Sequence, residues 1–182
     1  MEVGGARTTV SSRPEDIRRA ERIVFPGVGS FGEAMKELNR RKLVKPIKDA
    51  IAAGKPFLGL CLGLQLLFER SEEAPGARGL GVLKGDVKRF RIKGLKVPHM
   101  GWNDVRPMLS NRLFDRLDSG ARFYFLHSYY FHCDREENTI AVTHYGTDFD
   151  CAVNAAKIFG VQFHPEKSHH DGARLLQNFG EM

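Results

Sequence analysis

Apolar residues along the first half of the chain recur with two different periods. Compact apolar runs at 22–25 and 56–60 are typical of buried strands. Between them apolar residues recur every three or four positions, as on one face of a helix, at Phe31, Ala34, Met35, Leu38, Leu43, Val44, Ile47 and Ile51. We also predict a strand at 6–10, a short helix at 14–20 and a mostly buried helix over 62–68.

The second half of the chain changes towards strand-like patterns. Residues 71–81 are rich in Gly, Pro, Glu and Ala and predict a loop. The strands expected after it lie at 87–92, 96–97, 122–126, 139–144, 152–156 and 158–163. Leu175, Leu176 and Phe179 predict a closing helix. Together the patterns predict an α/β fold, parallel at first and hairpin-rich later, with residues 1–182 forming one domain.

Composition narrows the class of protein. A chain of 182 residues, 42% hydrophobic and 27% charged, is long enough to bury a core. No apolar run approaches the roughly 18 residues that span a bilayer, and the first residues show no leader pattern. The cysteines are odd in number and scattered, at Cys61, Cys133 and Cys151, which favours a reducing cytoplasm over a disulfide framework.

The net charge of +6 raises the possibility of an RNA-binding module. The basic residues are dispersed, however, with local clusters only at 18–19, 40–42 and 84–96. Because no aromatic and basic motif accompanies them, we expect solvated faces and no nucleic-acid partner. A salt-dependent binding assay distinguishes the two readings.

Cys61 is the candidate nucleophile. A free Cys in an apolar setting is by default a small buried hydrophobe. Here Gly59 and Gly63 flank it, which permits the tight strand-to-helix turn that exposes a nucleophile. The helix predicted from Leu62 onward would also favour the thiolate through its N-terminus.

A second element of the candidate site is His164, which follows the apolar run at 158–163. Glu166 lies two residues on, and residues two apart in an extended segment point to the same side. Its carboxylate is therefore placed to orient the imidazole, as in a catalytic triad. The combination of Cys61, His164 and Glu166 predicts thiol acyl transfer.

A glycine-rich segment at 26–29, Pro-Gly-Val-Gly, follows a third apolar run. In isolation it would be a simple turn. At the end of a parallel strand the backbone N–H groups of Val28 and Gly29, with that of Leu62, would form an oxyanion hole.

These motifs carry a family resemblance that covers the chain from about Ala6 onward. Gly-Leu-Cys-Leu-Gly-Leu-Gln at 59–65 and His-Pro-Glu at 164–166 resemble class I (triad) glutamine amidotransferases. Four further stretches resemble the glutaminase subunits of imidazole glycerol phosphate synthase: Pro-Gly-Val-Gly at 26–29, Pro-His-Met-Gly-Trp-Asn at 98–103, His-Ser-Tyr at 127–129 and Lys-Ser at 167–168. The resemblance implies a flavodoxin-like three-layer sandwich with a mostly parallel sheet.

The resemblance also implies a reaction. Cys61 would attack the side-chain amide of glutamine, His164 would protonate the leaving ammonia, and Glu166 would fix the imidazole. Gln65, Ser128 and Tyr129 would hold the substrate. Glutamate and ammonia would result, and no cofactor or metal is implied.

The implied partner is a cyclase subunit with a (β/α)8 barrel, forming a heterodimer. Ammonia would pass into it to make imidazole glycerol phosphate and an aminoimidazole carboxamide ribotide, in histidine biosynthesis. Trp102, Tyr129 and Lys167 would face this partner and the ammonia passage. In such proteins a flip of the 26–29 peptide is one account of activation by the docked partner, and Val28 would disfavour the flipped form.

The chain departs from the family at its start, since members open with a further strand and helix of about 25 residues. We therefore expect the native product to be longer. Two alternatives remain open: the glutaminase subunit of another class I amidotransferase, and a catalytically silent binding subunit.

Overall fold

Eleven strands and five α-helices make up the structure, a computed structural model that describes residues 8–182. The strands are β1 (Ile23–Phe25), β2 (Phe57–Leu60), β3 (Arg70–Ser71), β4 (Gly85–Arg89), β5 (His99–Asp104), β6 (Arg106–Pro107), β7 (Arg122–His127), β8 (Tyr129–Cys133), β9 (Thr139–His144), β10 (Asp148–Ala155) and β11 (Ile158–Val161). The helices are α1 (Pro14–Arg19), α2 (Phe31–Arg40), α3 (Val44–Ala52), α4 (Leu62–Gln65) and α5 (His169–Gly180). No helix in the described part is long and apolar enough to cross a membrane.

The main sheet is mixed, with the strand order β1-β2-β11-β10-β9-β6. Strands β1, β2 and β11 pair in parallel, whereas β10, β9 and β6 add in antiparallel fashion. Two small sheets, β3-β4-β8 and β5-β7, complete the fold. The α/β class is confirmed, but the expectation of a mostly parallel sheet is wrong in this detail. Short connections join β9, β10 and β11, and such connections allow only antiparallel pairing.

Helices cover both faces of the main sheet. All four residues of β2 are buried, and its successive side chains point to opposite faces. Leu58 and Leu60 join the core that α5 covers with Leu175 and Phe179. Phe57 joins the core that α2 and α3 cover, with contributions from residues such as Phe31, Met35 and Ile47. The predicted three-layer arrangement is thereby confirmed.

Most of the predicted elements are present, including α1, β1, α2, α3, β2, β7, β9, β11 and α5. The predicted strand at 6–10 is not observed: residues 6 and 7 lie outside the described part, and 8–10 have no regular structure. Residues 96–97 are not a strand either, and β5 and β8 were not predicted as strands.

The helix predicted over 62–68 ends at Gln65. The backbone tightens there, because Leu67 N donates to Leu64 O at 3.0 Å and Phe68 N donates to Gln65 O at 3.1 Å, each three residues back instead of four. The following loop then takes the carbonyls that a helix continuing past residue 68 would use. Leu80 N donates to Leu66 O at 2.8 Å, and Val82 N donates to Leu67 O at 2.9 Å. Every side chain from Leu62 to Phe68 is buried, so this segment is a core element without a polar face.

Helix α5 packs closely against the segment that precedes it. A Cβ at Gly172 would lie 1.9 Å from the carbonyl oxygen of Pro165, which begins a 3₁₀ turn at Pro165–Lys167. At Gly180, in the last turn of the same helix, a Cβ would meet nothing within 4 Å. The first glycine is required by packing and the second is not.

We predict that Gly172→Ala lowers the free energy of unfolding by about 1–3 kcal/mol, because the new methyl group overpacks against backbone. Helix propensity alone predicts the opposite, a gain of roughly 1 kcal/mol for Gly to Ala. Gly180→Ala is the matched control and should leave stability unchanged or slightly raised. Urea unfolding of both variants measures the difference. A free energy of unfolding that is unchanged in Gly172→Ala would contradict the close packing at this position.

Candidate active site

Cys61 occupies a strained turn between β2 and α4. Its backbone has φ 50° and ψ −110°, a region that L-residues with side chains rarely adopt. Two glycines allow the turn: a Cβ at Gly59 would lie 2.7 Å from Leu64 Cα, and one at Gly63 would lie 1.9 Å from Phe25 O. The backbone N–H of Cys61 donates to Val161 O at 2.8 Å, which ties the turn to β11.

His164 and Glu166 lie together beyond the end of β11. His164 Nδ1 is 2.7 Å from Glu166 Oε1, and the two side chains are 5% and 34% exposed. The backbone of His164 is held on both sides, since its N–H donates to Tyr124 O at 2.8 Å and its carbonyl accepts from Ser168 Oγ at 2.6 Å. Ser168 Oγ also accepts from Tyr124 N at 3.0 Å. Ser168 thus fixes the backbone that carries the imidazole, a role that the sequence pattern alone did not reveal.

The protonation of this pair follows from its neighbours. Burial by itself lowers the pKa of His164, but hydrogen bonds with Cys61 and Glu166 outweigh it and raise the pKa to about 9. For Glu166 burial opposes ionisation, yet the hydrogen bond with His164 lowers its pKa below the ordinary value. At neutral pH the site therefore holds an imidazolium between the Cys61 sulfur and a carboxylate.

The helix expected to favour the thiolate has a single turn, so its dipole is small. A side-chain amide also faces the sulfur: Gln162 Nε2 is 3.6 Å from Cys61 Sγ. Gln162 Oε1 in turn accepts from Gln65 Nε2 at 3.1 Å. Sequence reasoning missed Gln162; the available signal was a single polar residue inside the apolar run at 158–163.

The predicted oxyanion segment lies against the turn that carries Cys61. A Cβ at Gly27 would lie 2.8 Å from Gly63 N, so the 26–29 loop touches the first turn of α4. The positive φ of this loop, 98°, occurs at Gly29, and the side chain of Val28 is 84% exposed. The structure thus brings the loop near Leu62 without burying Val28.

The predicted substrate residues are linked to the same turn. Gln65 is buried, and its Nε2 donates to the carbonyl of Tyr129 at 2.9 Å. That carbonyl also lies 2.8 Å from His127 Nδ1, and Ser128 O accepts from Phe90 N at 3.2 Å. Burial lowers the pKa of His127 to about 3, so its ring is neutral at ordinary pH. The 128–129 segment is therefore firmly held beside Gln65.

The predicted interface residues separate into two places. Trp102 is 40% exposed and stacks on His169 with ring centroids 5.1 Å apart. Lys167 Nζ lies 5.7 Å from the ring centroid of Tyr124, which itself meets Trp102 edge-on at 6.1 Å. Tyr129 instead packs against the core on the α2 side. Trp102 and Lys167 thus share one exposed surface.

A cavity and a search for metal ligands further describe the surroundings of the site. A cavity of about 560 Å³ lies between α2 and the 73–78 loop, lined in part by Glu33, Lys36, Glu73 and Arg78, and no triad residue lines it. Among residues 8–182 no three His, Cys, Asp or Glu side chains are grouped so that they could hold a metal ion.

Comparisons with known proteins show the family of this chain. Residues 6–181 match the family model of class-I glutamine amidotransferases. The chain is 48% identical to "Imidazole glycerol phosphate synthase subunit HisH" of Rhodopirellula baltica, over 98% of this chain and 87% of that protein. It is 50% identical to the subunit of the same name from Thermococcus kodakarensis, over 95% of this chain and 89% of that protein.

Solved structures share the fold. One, a crystal structure of a glutamine amidotransferase, superposes with a TM-score of 0.75 at 21% identity, covering 97% of this chain and 86% of the other. The structure of PurLQS from Thermotoga maritima superposes with a TM-score of 0.68 at 22% identity, covering 88% of this chain and 79% of the other. At such identities these likenesses speak for the fold alone.

The raised pKa of His164 makes stability depend on pH. Its folded value of about 9 exceeds the ordinary value of 6.5, so protonation favours the folded state. We expect this contribution to be complete below pH 6.5 and to be lost as the pH rises through 9. Glu166→Gln should shrink the loss, because it removes one of the groups that raise the pKa.

Urea unfolding at pH 6.5, 8 and 9.5 for both proteins measures this difference. Comparing the two proteins cancels groups elsewhere that titrate over the same range. An equal fall in the free energy of unfolding of the wild-type and Glu166→Gln proteins would contradict the assigned imidazolium–carboxylate pair.

Proposed function

This chain belongs to the class-I glutamine amidotransferase family, and we propose that Cys61, His164 and Glu166 catalyse its hydrolysis of glutamine to glutamate and ammonia. The chain acts as the glutamine amidotransferase subunit of imidazole glycerol phosphate synthase, in histidine biosynthesis. The observation that best supports the triad is the bonded His164–Glu166 pair, whose imidazole also interacts with Cys61 on its strained turn.

The reaction follows from the protonation of the site. The Cys61 thiolate attacks the side-chain carbonyl carbon of glutamine, and the imidazolium of His164 gives its proton to the departing ammonia. A γ-glutamyl thioester remains, and His164 is now neutral. It takes a proton from water, which attacks the thioester and releases glutamate and the thiolate. Glu166 holds the ring in the tautomer that both steps require.

Charge that develops on the substrate oxygen requires N–H donors. We assign them to Leu62, next to the nucleophile, and to Val28 and Gly29. Support comes from the 26–29 loop, which touches Gly63. The side chain of Val28 is exposed, so no packing of that side chain opposes a change of peptide orientation when a partner docks.

Gln65, Ser128 and Tyr129 are assigned to the amino-acid end of glutamine. The 128–129 backbone is tied to Gln65, which lies one helical turn after Cys61. A ligand held by this segment would therefore lie close to the sulfur. The carboxylate and ammonium groups of glutamine are the kind that backbone donors and acceptors bind.

The chain works as one subunit of a synthase, as the names of its relatives indicate. More specifically, we propose a heterodimer with a (β/α)8-barrel cyclase, docked on the surface around Trp102. Two apolar side chains of β5 are exposed there, Met100 by 61% and Trp102 by 40%, which is typical of an interaction site. Lys167 and Trp102 would border the route of ammonia, with Tyr129 on its inner side. The free cysteines favour a cytoplasmic setting.

We expect the purified chain to release glutamate from glutamine slowly on its own and far faster with the cyclase subunit and its ribulosyl ligand. Cys61→Ala should lower the rate at least about 10³-fold, since removal of a nucleophile disables the whole triad. An enzyme-coupled glutamate assay measures both.

Full activity without the partner would point to another class I amidotransferase. No activity in any mixture, from a folded sample, would favour the silent binding subunit and contradict the assigned triad.

Trp102→Ala should weaken binding of the cyclase subunit by about 10–100-fold, because exposed aromatic residues at interfaces carry much of the binding energy. Met108→Ala is the control, an apolar residue that is 60% exposed and directly follows β6, the edge strand of the main sheet. Isothermal titration calorimetry gives both dissociation constants. Equal affinities for the two variants would place the interface elsewhere.

A further inference from the structure

Two buried glutamines form a pair behind the nucleophile. Gln162 has no solvent exposure and Gln65 is 4% exposed. A buried amide without hydrogen-bond partners is costly, so such side chains are retained where partners exist. Here the amide nitrogen of each has an acceptor: Gln65 Nε2 faces Tyr129 O and Gln162 Oε1, and Gln162 Nε2 faces Cys61 Sγ.

A backbone carbonyl determines how the amide groups of Gln65 and Gln162 are oriented. The oxygen of Tyr129 can only accept, so Gln65 must turn its NH₂ group towards it. The second hydrogen of that NH₂ group then requires an acceptor, which is Gln162 Oε1 at 3.1 Å. Gln162 must therefore present its own NH₂ group to the sulfur, at 3.6 Å. The reverse orientation would set two NH₂ groups against each other and an oxygen against the sulfur.

The sulfur of Cys61 lacks other strong support for a negative charge within its own turn. Cys61 is 7% exposed, so little water solvates it, and α4 has only one turn. On one side the carbonyl of Leu126 lies 3.9 Å away, an acceptor that favours the protonated thiol. The N–H group of Gln162 opposes this effect and, together with the His164 imidazolium, favours the thiolate.

We propose that Gln162 is a further catalytic residue, which donates a hydrogen bond to the Cys61 sulfur and stabilises the thiolate, and that Gln65 is the positioning residue that orients it. This inference rests on the proposed function for its place in catalysis. The same hydrogen bond assists the second half of the reaction, in which the sulfur leaves the thioester as a thiolate. Through Gln162 and Gln65, hydrogen bonds also link the sulfur of Cys61 to the 128–129 segment that is assigned to substrate binding.

The test measures thiolate formation directly, without turnover. Alkylation of Cys61 by iodoacetamide is followed from pH 5 to 9 in the full chain, with Cys61→Ala to subtract labelling of other groups. In Gln162→Leu we expect the rate at pH 7 to fall about tenfold, with the profile shifted upward by about one pH unit. Gln177→Leu, the same change on α5, is the matched control and should keep the wild-type profile.

A second variant separates the hydrogen bond from packing. Gln162→Met also lacks the donor but has a different shape, so a lost hydrogen bond predicts equal shifts in Gln162→Leu and Gln162→Met. In Gln65→Met the side-chain amide of Gln162 can rotate, so that its oxygen faces the sulfur part of the time. This variant should cause a smaller shift of the alkylation profile in the same direction. Near-ultraviolet circular dichroism checks that each variant retains its fold.

An unshifted alkylation profile in folded Gln162→Leu would overturn the inference, even if glutamine hydrolysis were lost. Unequal shifts in the Leu and Met variants would likewise assign the effect to packing. The proposed function fails on a different readout, the absence of glutaminase activity from wild-type protein with its partner. A shifted profile in that case would still support the hydrogen bond.

Discussion

The parallel register of β2 and β11 is the constraint on which the site depends. Gly59 pairs with Gly160 and Leu60 with Val161, and the N–H of Cys61 extends the pairing to Val161 O. Because parallel strands end at the same edge of a sheet, Cys61 leaves β2 where Gln162 and His164 leave β11. Residues about a hundred positions apart in the chain therefore meet without a long loop to bring them together.

Close packing of backbone on backbone maintains this edge. Gly27 lies against Gly63, Gly63 against the carbonyl of Phe25, and Gly59 against Leu64. These contacts leave no room for a side chain, so the strained turn at Cys61 is enclosed by rigid neighbours. Strain of this kind persists only when the surrounding structure determines it. Gly27, at the start of the 26–29 loop, and the turn that carries Cys61 are thereby held together.

The second half of the chain supplies orientation. Ser168 joins the backbone of His164 to that of Tyr124, and Gly172 lets α5 pack on the turn that follows. The carbonyl of Tyr129 directs Gln65 and through it Gln162. Since the site excludes most water, each of these hydrogen bonds acts in a medium of low polarity and has a larger effect on protonation than it would at the surface.

The amino-acid sequence by itself determined the class of fold and the chemical type of the candidate site. Apolar runs and helical spacing predicted most elements, because the periods of strand and helix are local properties. The glycines around Cys61 and the His164–Glu166 spacing indicated acyl transfer for the same reason. Only the tertiary structure decided the mixed sheet, the single turn of α4, the strands β5 and β8, and the partners of Gln162 and Ser168. These depend on contacts between distant segments, such as those of the 80–83 loop with Leu66 and Leu67 after α4, and no local pattern encodes them.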